Sequence, residues 1–538
     1  MLKRNNYTDF SKGMNVLDSA HFIDDNNIVA GVNVDLIRGG IRARSGTSLF
    51  NNDTAKSGGI KAMHAYYKSD GTKQMVFANG SDWYYLLAGD ATDKTWRTVG
   101  SYGTETDNPR GYTYDNKCVL GSGGTNVSKL WDGSDLDDIT DPPAGVYLNI
   151  FEKIQGGDVA SLFAAQEGTS TLYWSKTTDP DDWNDATAGS VVIGKDDGEQ
   201  IRGLKAQGTT LWVFKDTRKY PVRVEYDQAT SAWLPLVKPN VDQSGGTMGH
   251  DSIKVVTMKN KGDDLHYLAH KGEGVQSFGR NANFGDSPLG VSVSELINPI
   301  LNQINWDKAN ISRAIVWKRK YMLAYPSQGS TFNNRVFVRN LDTGGWTIYK
   351  NWNVGAWCIF KDSDGIDQLY YGDSISPNIY IVKGNVYSDD NGEYPRSVLT
   401  KKYTMQKDFS LYNAFHYIDI FGYITSATNL YITIYVDDKS RARYKIDKSF
   451  IIGADFASYL GDTHLGTEVF GGGTIEQNES LFFARLPISD DLRIGKFLQL
   501  LIENSGNGQS WQLNGIEPIY EPQPFEYFPD QYIVKTIS

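Results

Sequence analysis

The chain alternates between short apolar runs and turn dipeptides over most of its length. Residues 74–78 (QMVFA), for example, are followed by Asn79-Gly80 and then by a second apolar run at residues 83–87 (WYYLL). Such dipeptides favour tight hairpins, because both central residues of the turn take positive φ. Comparable Asp-Gly pairs begin at Asp70, Asp132, Asp197 and Asp364. The pattern therefore predicts many short antiparallel strands.

The strands group into a repeating unit. Three or four of them recur in about 40 to 50 residues, which is the repeat length of a propeller blade. The candidate blade units are residues 59–100, 110–141, 145–194, 199–238, 247–290, 309–350 and 354–384. We favour a β-propeller over a β-sandwich, because radial repetition leaves only short, protected strand edges. The prediction is an all-β protein whose propeller has six to eight blades.

The pattern changes at both ends of this repeat. Longer alternating strands at residues 415–423 and 430–436 predict a C-terminal β-sandwich-like domain, with a closing hairpin formed by residues 497–503 and 511–513. Beyond Pro518 we expect an arm, because proline cannot donate to a central strand. The predicted parts are an N-terminal arm with closing strands (1–58), the propeller (59–396), the β-sandwich-like domain (397–517) and a C-terminal arm (518–538).

One helical segment interrupts the strands. Ser292 and Glu295 have the spacing of a capping box, and apolar residues from 296 to 304 keep helical spacing. Pro299 would break a continuous helix, so we predict two short helices, the second with Pro299 in its first turn.

Composition agrees with this fold class and adds a cellular expectation. Aromatic residues make up 13% of the chain and there are 54 glycines, a balance that suits strands and tight turns. Cys118 and Cys358 are the only cysteines, which excludes a disulfide scaffold. The N-terminal residues lack the apolar stretch of a signal peptide, and no apolar run reaches membrane-helix length. We expect synthesis in a reducing cytoplasm and no membrane anchor.

Charge is distributed unevenly along the chain. The net charge is −11, and residues 129–200 hold 15 acidic residues against 4 lysines and no arginine. Tight nucleic-acid binding needs clustered Lys and Arg, so this chain is not expected to hold DNA. The simplest interpretation of the acidic segment is a solvated loop face.

Candidate chemistry is sparse. His266 and His270 have the spacing of helical zinc ligands but lie between glycines in a predicted strand, where they would not meet. Residues 179–185 are rich in carboxylates, yet Asp-Pro and Asn-Asp are ordinary turn chemistry, and residues 362–367 predict a hairpin turn. No phosphate-binding loop and no nucleophile elbow occurs in the sequence. We therefore predict no metal, no cofactor and no enzymatic activity.

Three groups of short motifs together resemble the nozzle, or tail tubular, proteins of tailed phages. The first group is residues 9–15 (DFSKGMN), 30–34 (AGVNV) and 40–47 (GIRARSGT). The second is residues 172–175 (LYWS), 180–184 (PDDWN) and 201–204 (IRGL), and the third is 345–347 (GWT), 369–373 (LYYGD) and 379–380 (IY). The family often has Arg-Pro-Gly where this chain has Arg44-Ser45-Gly46.

This resemblance implies a structural β-propeller protein of the virion tail. Such proteins assemble with themselves, usually as a homohexamer, below the portal and adaptor rings, and contact tail fibres or a distal plug. The ring forms the channel through which double-stranded DNA leaves. An acidic lining would repel DNA phosphate, with Asp137, Asp138, Asp181 and Asp182 as channel-lining candidates. The apolar residues expected to be exposed on a single chain and used in assembly are Phe10, Met14, Phe525, Tyr527 and Phe528.

Two other function classes stay open. The first is a glycan-binding or glycoside-hydrolysing propeller used in host-surface recognition, in which Trp side chains and paired carboxylates line a groove. The 64 acidic residues always allow some such pair to be proposed, but no Asp-box repeat occurs. The second is a scaffold propeller that binds peptides, which is less favoured because Trp-Asp pairs do not recur from unit to unit.

Overall fold

The computed structural model has two compact units. The propeller unit comprises Thr47–Asp342 and Lys350–Val382, and the second unit comprises Met1–Gly46, Thr343–Tyr349 and Lys383–Ser538. The structure describes the chain except for residues 88–95, 104–107, 125, 157–158, 228–231, 238–244, 259–261, 280–289, 406–410, 453–478, 491–492 and 524–538.

The strands up to residue 292 are short, as the sequence predicts. The first six are β1 (Lys3–Arg4), β2 (Gly13–Met14), β3 (Asn27–Val32), β4 (Val34–Ile37), β5 (Gly40–Ala43) and β6 (Gly46–Asn52). The next eight are β7 (Ile60–Tyr67), β8 (Lys73–Asn79), β9 (Asp82–Leu87), β10 (Arg97–Ser101), β11 (Arg110–Tyr114), β12 (Lys117–Gly121), β13 (Lys129–Trp131) and β14 (Leu136–Asp138). Twelve more are β15 (Ile150–Gly156), β16 (Val159–Ala165), β17 (Thr171–Trp174), β18 (Gly189–Val192), β19 (Gly203–Gln207), β20 (Thr210–Phe214), β21 (Lys219–Asp227), β22 (Ala232–Val237), β23 (Lys254–Met258), β24 (Gly262–Leu268), β25 (Val275–Gly279) and β26 (Val291–Ser292).

The remaining strands include several longer ones. From residue 313 to 383 they are β27 (Arg313–Trp317), β28 (Lys320–Tyr325), β29 (Arg335–Asn340), β30 (Trp346–Lys350), β31 (Val354–Lys361), β32 (Asp367–Asp373) and β33 (Asn378–Lys383). The last nine are β34 (Arg396–Thr400), β35 (Tyr403–Thr404), β36 (Asn413–Thr425), β37 (Leu430–Val436), β38 (Lys439–Ile446), β39 (Glu479–Pro487), β40 (Ile494–Gly495), β41 (Phe497–Asn504) and β42 (Trp511–Pro522).

Most of the propeller unit consists of antiparallel four-stranded sheets. Five of them take their strands in chain order, from β7–β10 through β23–β26, and the sixth is β31–β33 with β6 at its outer edge. Strands β27–β29 pair antiparallel and occupy a further position, where β27 contacts both β23 and β31. The first strands of successive sheets lie side by side, and β31 contacts β7. The sheets therefore close into a ring, which confirms the predicted all-β propeller.

The ring is closed by a strand from the start of the chain. β6 precedes the first blade in sequence but completes the sheet of β31–β33. This contact joins the two ends of the repeat, because the outermost strand of the last blade comes from the chain segment before the first. The closing strands predicted within residues 1–58 are represented by β6.

The apolar cores of the propeller unit lie between neighbouring blades. Val76 packs with Cys118 of the second blade, whereas the adjacent Phe77 belongs to a cluster with Phe360 of β31. Successive side chains of a strand point to opposite faces, so a blade that is buried on both faces needs apolar residues at consecutive positions. This explains why residues 75–78 form a continuous apolar run instead of an alternating one. Each large side chain buried in this way contributes about 1.5–3 kcal/mol.

The helical interruption is present, but its predicted cap is not. A 3-10 turn at Glu295–Ile297 leads into α1 (Asn298–Leu301), which has Pro299 in its first turn as predicted, and a second 3-10 turn spans Trp306–Ile311. Other 3-10 turns lie at His250–Ser252 and Lys448–Phe450. Ser292 lies in β26, and Ser294 precedes the turn with no side-chain capping bond to it. The predicted capping box is therefore wrong, because Ser292 belongs to a strand and is not the residue before the turn. The Ser294 hydroxyl, which does precede the turn, accepts from the backbone N–H of Val275.

The second unit contains two sheets. One has the order β39-β36-β42-β5-β4, with β1 on β42 and β40 on β36. In the other, β2, β3, β34, β41, β37 and β38 follow one another, and β30 pairs parallel with β2 and β3. The rings of Tyr7 and Tyr403, one beside each sheet, lie 4.1 Å apart. The segment expected to be an irregular N-terminal arm thus supplies strands to both sheets.

Two expectations for the C-terminal part are wrong. The runs at residues 497–503 and 511–513 do not form a hairpin, since β41 pairs with β34 and β37 whereas β42 pairs with β36. The chain also does not leave the sheet at Pro518, because β42 continues to Pro522. Proline lacks only the donor, and the Pro518 carbonyl accepts from the backbone N–H of Asn5.

Candidate functional site

The first strands of the propeller unit surround a central pocket of about 260 Å³. Every position in the ring contributes to it, because each first strand presents one face to the axis. The lining residues are Met63, His64, Arg110, Gly111, Tyr112, Phe151, Glu152, Lys205, His250, Asp251, Lys254, Arg313, Ala314, Ile315 and Trp357. Four of them are cationic at neutral pH and two are carboxylates, which is an unusual content for the centre of a fold.

Arg110 is the most completely buried of the charged residues in the lining, with 6% of its side chain exposed. Its Nε donates to Asp251 Oδ2 at 3.0 Å, and its Nη1 donates to Glu167 Oε2 at 3.1 Å. Its Nη2 is buried and has no hydrogen-bond partner. On the other side of Asp251, Arg313 Nη1 lies 4.0 Å from the same carboxylate oxygen. Asp251 is thus shared by two arginines from different blades.

A second network joins three neighbouring first strands. Lys205 Nζ donates to Glu152 Oε2 at 2.6 Å, and the Tyr112 hydroxyl donates to Glu152 Oε1 at 3.1 Å. The same hydroxyl accepts from the backbone N–H of Lys153 at 3.0 Å. Burial raises the pKa of Tyr112, and the Glu152 charge raises it further. The tyrosine is therefore a fixed neutral donor and not a phenolate.

Burial lowers the pKa of three basic residues of the pocket, His64, His250 and Lys254. Burial lowers the pKa of His64 to about 4 and the pKa of His250 well below its usual range. His250 is neutral with its proton on Nε2, because its Nδ1 accepts the backbone N–H of Leu204 at 3.3 Å. Burial also lowers the pKa of Lys254 to about 8, which nearby Asp251 opposes. Lys254 remains mostly protonated at neutral pH.

These groups are arranged for binding more than for acid–base chemistry. Burial alone would raise the pKa of Asp251, but Arg110 and Arg313 lower it below its usual range. A glycosidase-type acid must stay protonated near neutral pH, and Asp251 is ionised. The lining keeps more positive than negative charge even when Glu167, behind Arg110, is included. The pocket can therefore attract a small anion.

The four channel-lining candidates lie outside this pocket. Asp137 and Asp138 are exposed on β14, the outermost strand of the second blade. Asp181 is near them, because it accepts the N–H and hydroxyl of Thr140 at 2.6 and 2.9 Å. Asp182 lies 3.4 Å from Lys176 Nζ. The structure brings the four together at the outer edges of two adjacent blades, and their role toward DNA stays a prediction.

The apolar residues expected to be exposed for assembly lie in two parts of the chain, of which the structure describes only the first. Phe10 and Met14 are 0% and 1% exposed in the single chain, so the expectation that they would be exposed is wrong. The physical reason is that the N-terminal segment is paired at β2 and packed within the second unit instead of projecting from it. Phe525, Tyr527 and Phe528 lie outside the described residues.

The two histidines and the acidic turn singled out in the sequence occupy structural positions. His266 is fully buried in β24 and His270 lies just beyond that strand. Asp182 and Asp185 in the acidic turn accept backbone N–H groups of that turn. Within the described part of the chain, no group of three or more His, Cys, Asp or Glu residues is arranged to hold a metal ion. Among those same residues, no helix is long and apolar enough to cross a membrane.

The central pocket was not predicted from the sequence. Arg110, Glu152, Lys205, Lys254 and Arg313 all lie in first strands of the candidate blade units. The available signal was a charged residue in the first strand of successive units, where apolar residues are the usual choice. These charges indicate a site only once the closed ring is known to place the first strands side by side.

Fold and pocket together define a class: the chain is a β-propeller protein with a charged central pocket and a second β-sheet unit. No protein-family model and no curated protein sequence matches it. Similar solved structures include BBS1N in complex with ARL6DN (12% identity, 63% of this chain and 98% of that one, TM-score 0.37), the AfRom2 CNH domain (10%, 64% and 99%, 0.35) and YCF48 from Cyanidioschyzon merolae (9%, 63% and 99%, 0.38).

Proposed function

We propose that this protein is a structural component of a tailed-phage tail, where copies form the nozzle ring below the portal and adaptor proteins. The proposal depends on one observation: motifs that lie about 300 residues apart in the sequence are in contact in the structure. Residues 9–15, 30–34 and 40–46 of the first motif group and residues 345–347 of the third all belong to the second unit. Motifs that resemble one family and also converge in space are less easily explained as chance matches.

The convergence depends on close backbone contacts. Gly13 pairs with Trp346 in a parallel bridge, and a Cβ on Gly13 would lie 2.6 Å from the Trp346 nitrogen. A Cβ on Gly345 would lie 2.5 Å from the Ser11 carbonyl oxygen. The backbone N–H of Asn33 donates to the Ile348 carbonyl at 2.7 Å. These glycines are therefore needed for the two segments to approach.

The second motif group also has structural roles. Trp183 is buried in the core between the second and third blades, and its Nε1 donates to the Pro180 carbonyl at 2.9 Å. None of the residues in the three motif groups lines the central pocket. Motif residues that build the fold and avoid the pocket support a structural role over a catalytic one.

The proposed unit is a closed homohexameric ring. Such a ring needs heterologous contacts whose rotation closes, and rigid β units suit this requirement. Its partners are the adaptor above, fibres or a plug below, and DNA passing without specific binding. Asp137 and Asp138, exposed on β14, are the residues we assign to the DNA-facing side.

The proposal is tested by mixing the purified full-length chain with the head-to-tail connector of its phage and imaging the product by cryo-electron microscopy. Six copies around one axis, with the connector at one end, are expected. The chain alone is the control, since such rings can require the connector to assemble. A mixture in which the connector gains no copies, at protein concentrations well above those in an infected cell, would contradict the nozzle assignment.

The central pocket supports the alternative of a glycan-binding propeller. Its specific feature is that Trp357 and Tyr112 lie beside cationic and carboxylate groups in one cavity. A glycan array and a hydrolysis screen separate the alternatives. Saturable binding that disappears when a pocket residue is changed would favour recognition of a host saccharide, and hydrolysis would contradict the non-enzymatic assignment.

A further inference from the structure

We propose that the central pocket of the propeller unit is a binding site for a small carboxylate-bearing ligand about the size of one sugar acid. Lys254, Arg313 and the free Nη2 of Arg110 would hold the carboxylate. This inference goes beyond the nozzle function and does not depend on it, because it concerns the centre of each propeller and not the ring that the copies form.

Three cationic groups of the pocket lack a full set of partners. Arg110 is 94% buried, yet its Nη2 has no hydrogen-bond partner. Arg313 reaches Asp251 only at 4.0 Å, and no described residue forms an ion pair or hydrogen bond with the Lys254 ammonium. Buried charged groups are normally paired, because an uncompensated one destabilises the fold. Three incompletely paired cations around one cavity indicate a site that can bind an anion.

The charged groups of the pocket are not paired as they would be in a purely structural ion network. In such a network the acidic residues would be distributed over all the cations. Here Asp251 and Glu167 both accept from Arg110, and Glu152 accepts from Lys205 and Tyr112. None of these side-chain hydrogen bonds to the three carboxylates comes from Lys254 or Arg313. The part of the pocket formed by Lys254 and Arg313 therefore carries a net positive charge at neutral pH.

The volume and the net charge of the pocket indicate the size and the charge of the ligand. A volume of about 260 Å³ is small for a ligand pocket and suits a single ring bearing one charged group. The excess of positive charge matches one negative charge. A phosphate dianion would bring a second charge close to Asp251 and Glu152, so a monocarboxylate fits better. The indole of Trp357 and the side chain of Ile315 provide an apolar wall, and His250 and Tyr112 provide polar groups for hydroxyls.

The test uses the full-length chain and isothermal titration calorimetry at pH 7 and constant ionic strength. The probes are sodium D-glucuronate, the neutral D-glucose of the same ring size, and inorganic phosphate. We expect saturable binding of one glucuronate per chain, with glucose and phosphate at least tenfold weaker. Lys254→Met should weaken glucuronate binding at least tenfold and leave the melting temperature unchanged or higher, since an unpaired buried charge is removed.

Lys129→Met is the matched control, because Lys129 is a cation of the same unit that lies on β13 and pairs with Asp138 outside the pocket. It should leave glucuronate binding unchanged. Arg313→Gln is a second pocket variant in case Lys254→Met folds poorly, and it should also weaken binding tenfold. Three results would overturn the proposal: no saturable glucuronate binding to the unmodified chain, phosphate binding as tight as that of glucuronate, or glucuronate binding that both pocket variants retain.

Discussion

The Arg44 guanidinium forms a two-pronged ion pair with the Asp389 carboxylate inside the second unit. Its Nη1 lies 2.9 Å from Oδ1 and its Nη2 lies 2.5 Å from Oδ2. Arg44 is fully buried, and its guanidinium carbon lies 3.9 Å from the centre of the Tyr394 ring. The arginine of the Arg44-Ser45-Gly46 motif therefore joins segments 345 residues apart. A motif that resembles the nozzle family thus has a defined structural role.

Removing one partner of this ion pair should strongly destabilise the fold. We expect Asp389→Ala to lower the free energy of unfolding by about 3–5 kcal/mol, because it leaves a buried guanidinium charge without compensation. Asp24→Ala is the control, since its pair with Lys12 has both side chains about half exposed or more. That variant should cost under about 1 kcal/mol. Urea unfolding of both variants decides the point, and equal losses would show that the buried pair is not important.

The contact between Gly13 and Trp346 can be tested with a pair of glycines. Both Gly13 and Gly39 have positive φ, at 66° and 75°, but a Cβ on Gly39 would meet nothing within 4 Å. Gly39→Ala should cost about 1–2 kcal/mol for the left-handed backbone alone. Gly13→Ala should cost about 1–3 kcal/mol more, because the methyl group collides with the Trp346 backbone. Thermal or urea unfolding measures the difference, and similar losses would refute the close approach.

A buried histidine makes stability depend on pH. His266 is held neutral by burial and by the Arg339 Nη1 group 3.1 Å from its Nε2, and burial lowers its pKa to about 3. In the unfolded chain the pKa is about 6.5, so the unfolded state binds the proton first. Its contribution to stability is complete above pH 6.5 and is lost as the pH falls from 6.5 toward 3.

The free energy of unfolding should therefore be about 2 kcal/mol lower at pH 5 than at pH 7 because of this histidine. His266→Gln should reduce the loss between pH 7 and pH 5 by that amount, whatever its effect at pH 7. Urea unfolding at pH 7 and pH 5 measures how the free energy of unfolding changes with pH in the unmodified chain and in the variant. An unchanged slope in the variant would show that His266 is not the residue that titrates.

Local sequence patterns were sufficient for the strands and the ring. The candidate blade unit 59–100 contains nearly all of β7–β10, and the predicted strand 430–436 coincides with β37. These elements could be predicted because apolar runs and turn dipeptides are short-range signals. The pairing of Gly13 with Trp346 and the place of β6 in the last blade were not predicted, since they join distant segments.

The site was harder to predict than the fold for a related reason. Arg110 and Asp251 are 141 residues apart, and nothing in the sequence near either one indicates the other. The acidic segment 129–200 is evident in the sequence because its charges lie close together along the chain. The central pocket is instead formed by single charges from successive blades, which only the closed ring brings together.

The acidic residues of β14 give a functional prediction. If Asp137 and Asp138 face the passing genome, replacing both with lysine should slow DNA ejection several-fold, because cations near the channel bind phosphate. Asp53→Lys, in the loop after β6, is a control with the same substitution at a single position and therefore half the charge change. Ejection kinetics can be followed by the release of a DNA-binding dye from intact virions at fixed ionic strength. Unchanged kinetics with both variants would show that β14 faces bulk solvent.

The most direct test of the nozzle assignment is the position of this chain in the virion, determined by cryo-electron microscopy of the tail. The account predicts six copies arranged around the tail axis, directly below the portal and adaptor proteins, with the DNA path along the centre of the ring. Copies found on the capsid surface or at the tips of tail fibres, or virions that lack the chain, would contradict the assignment.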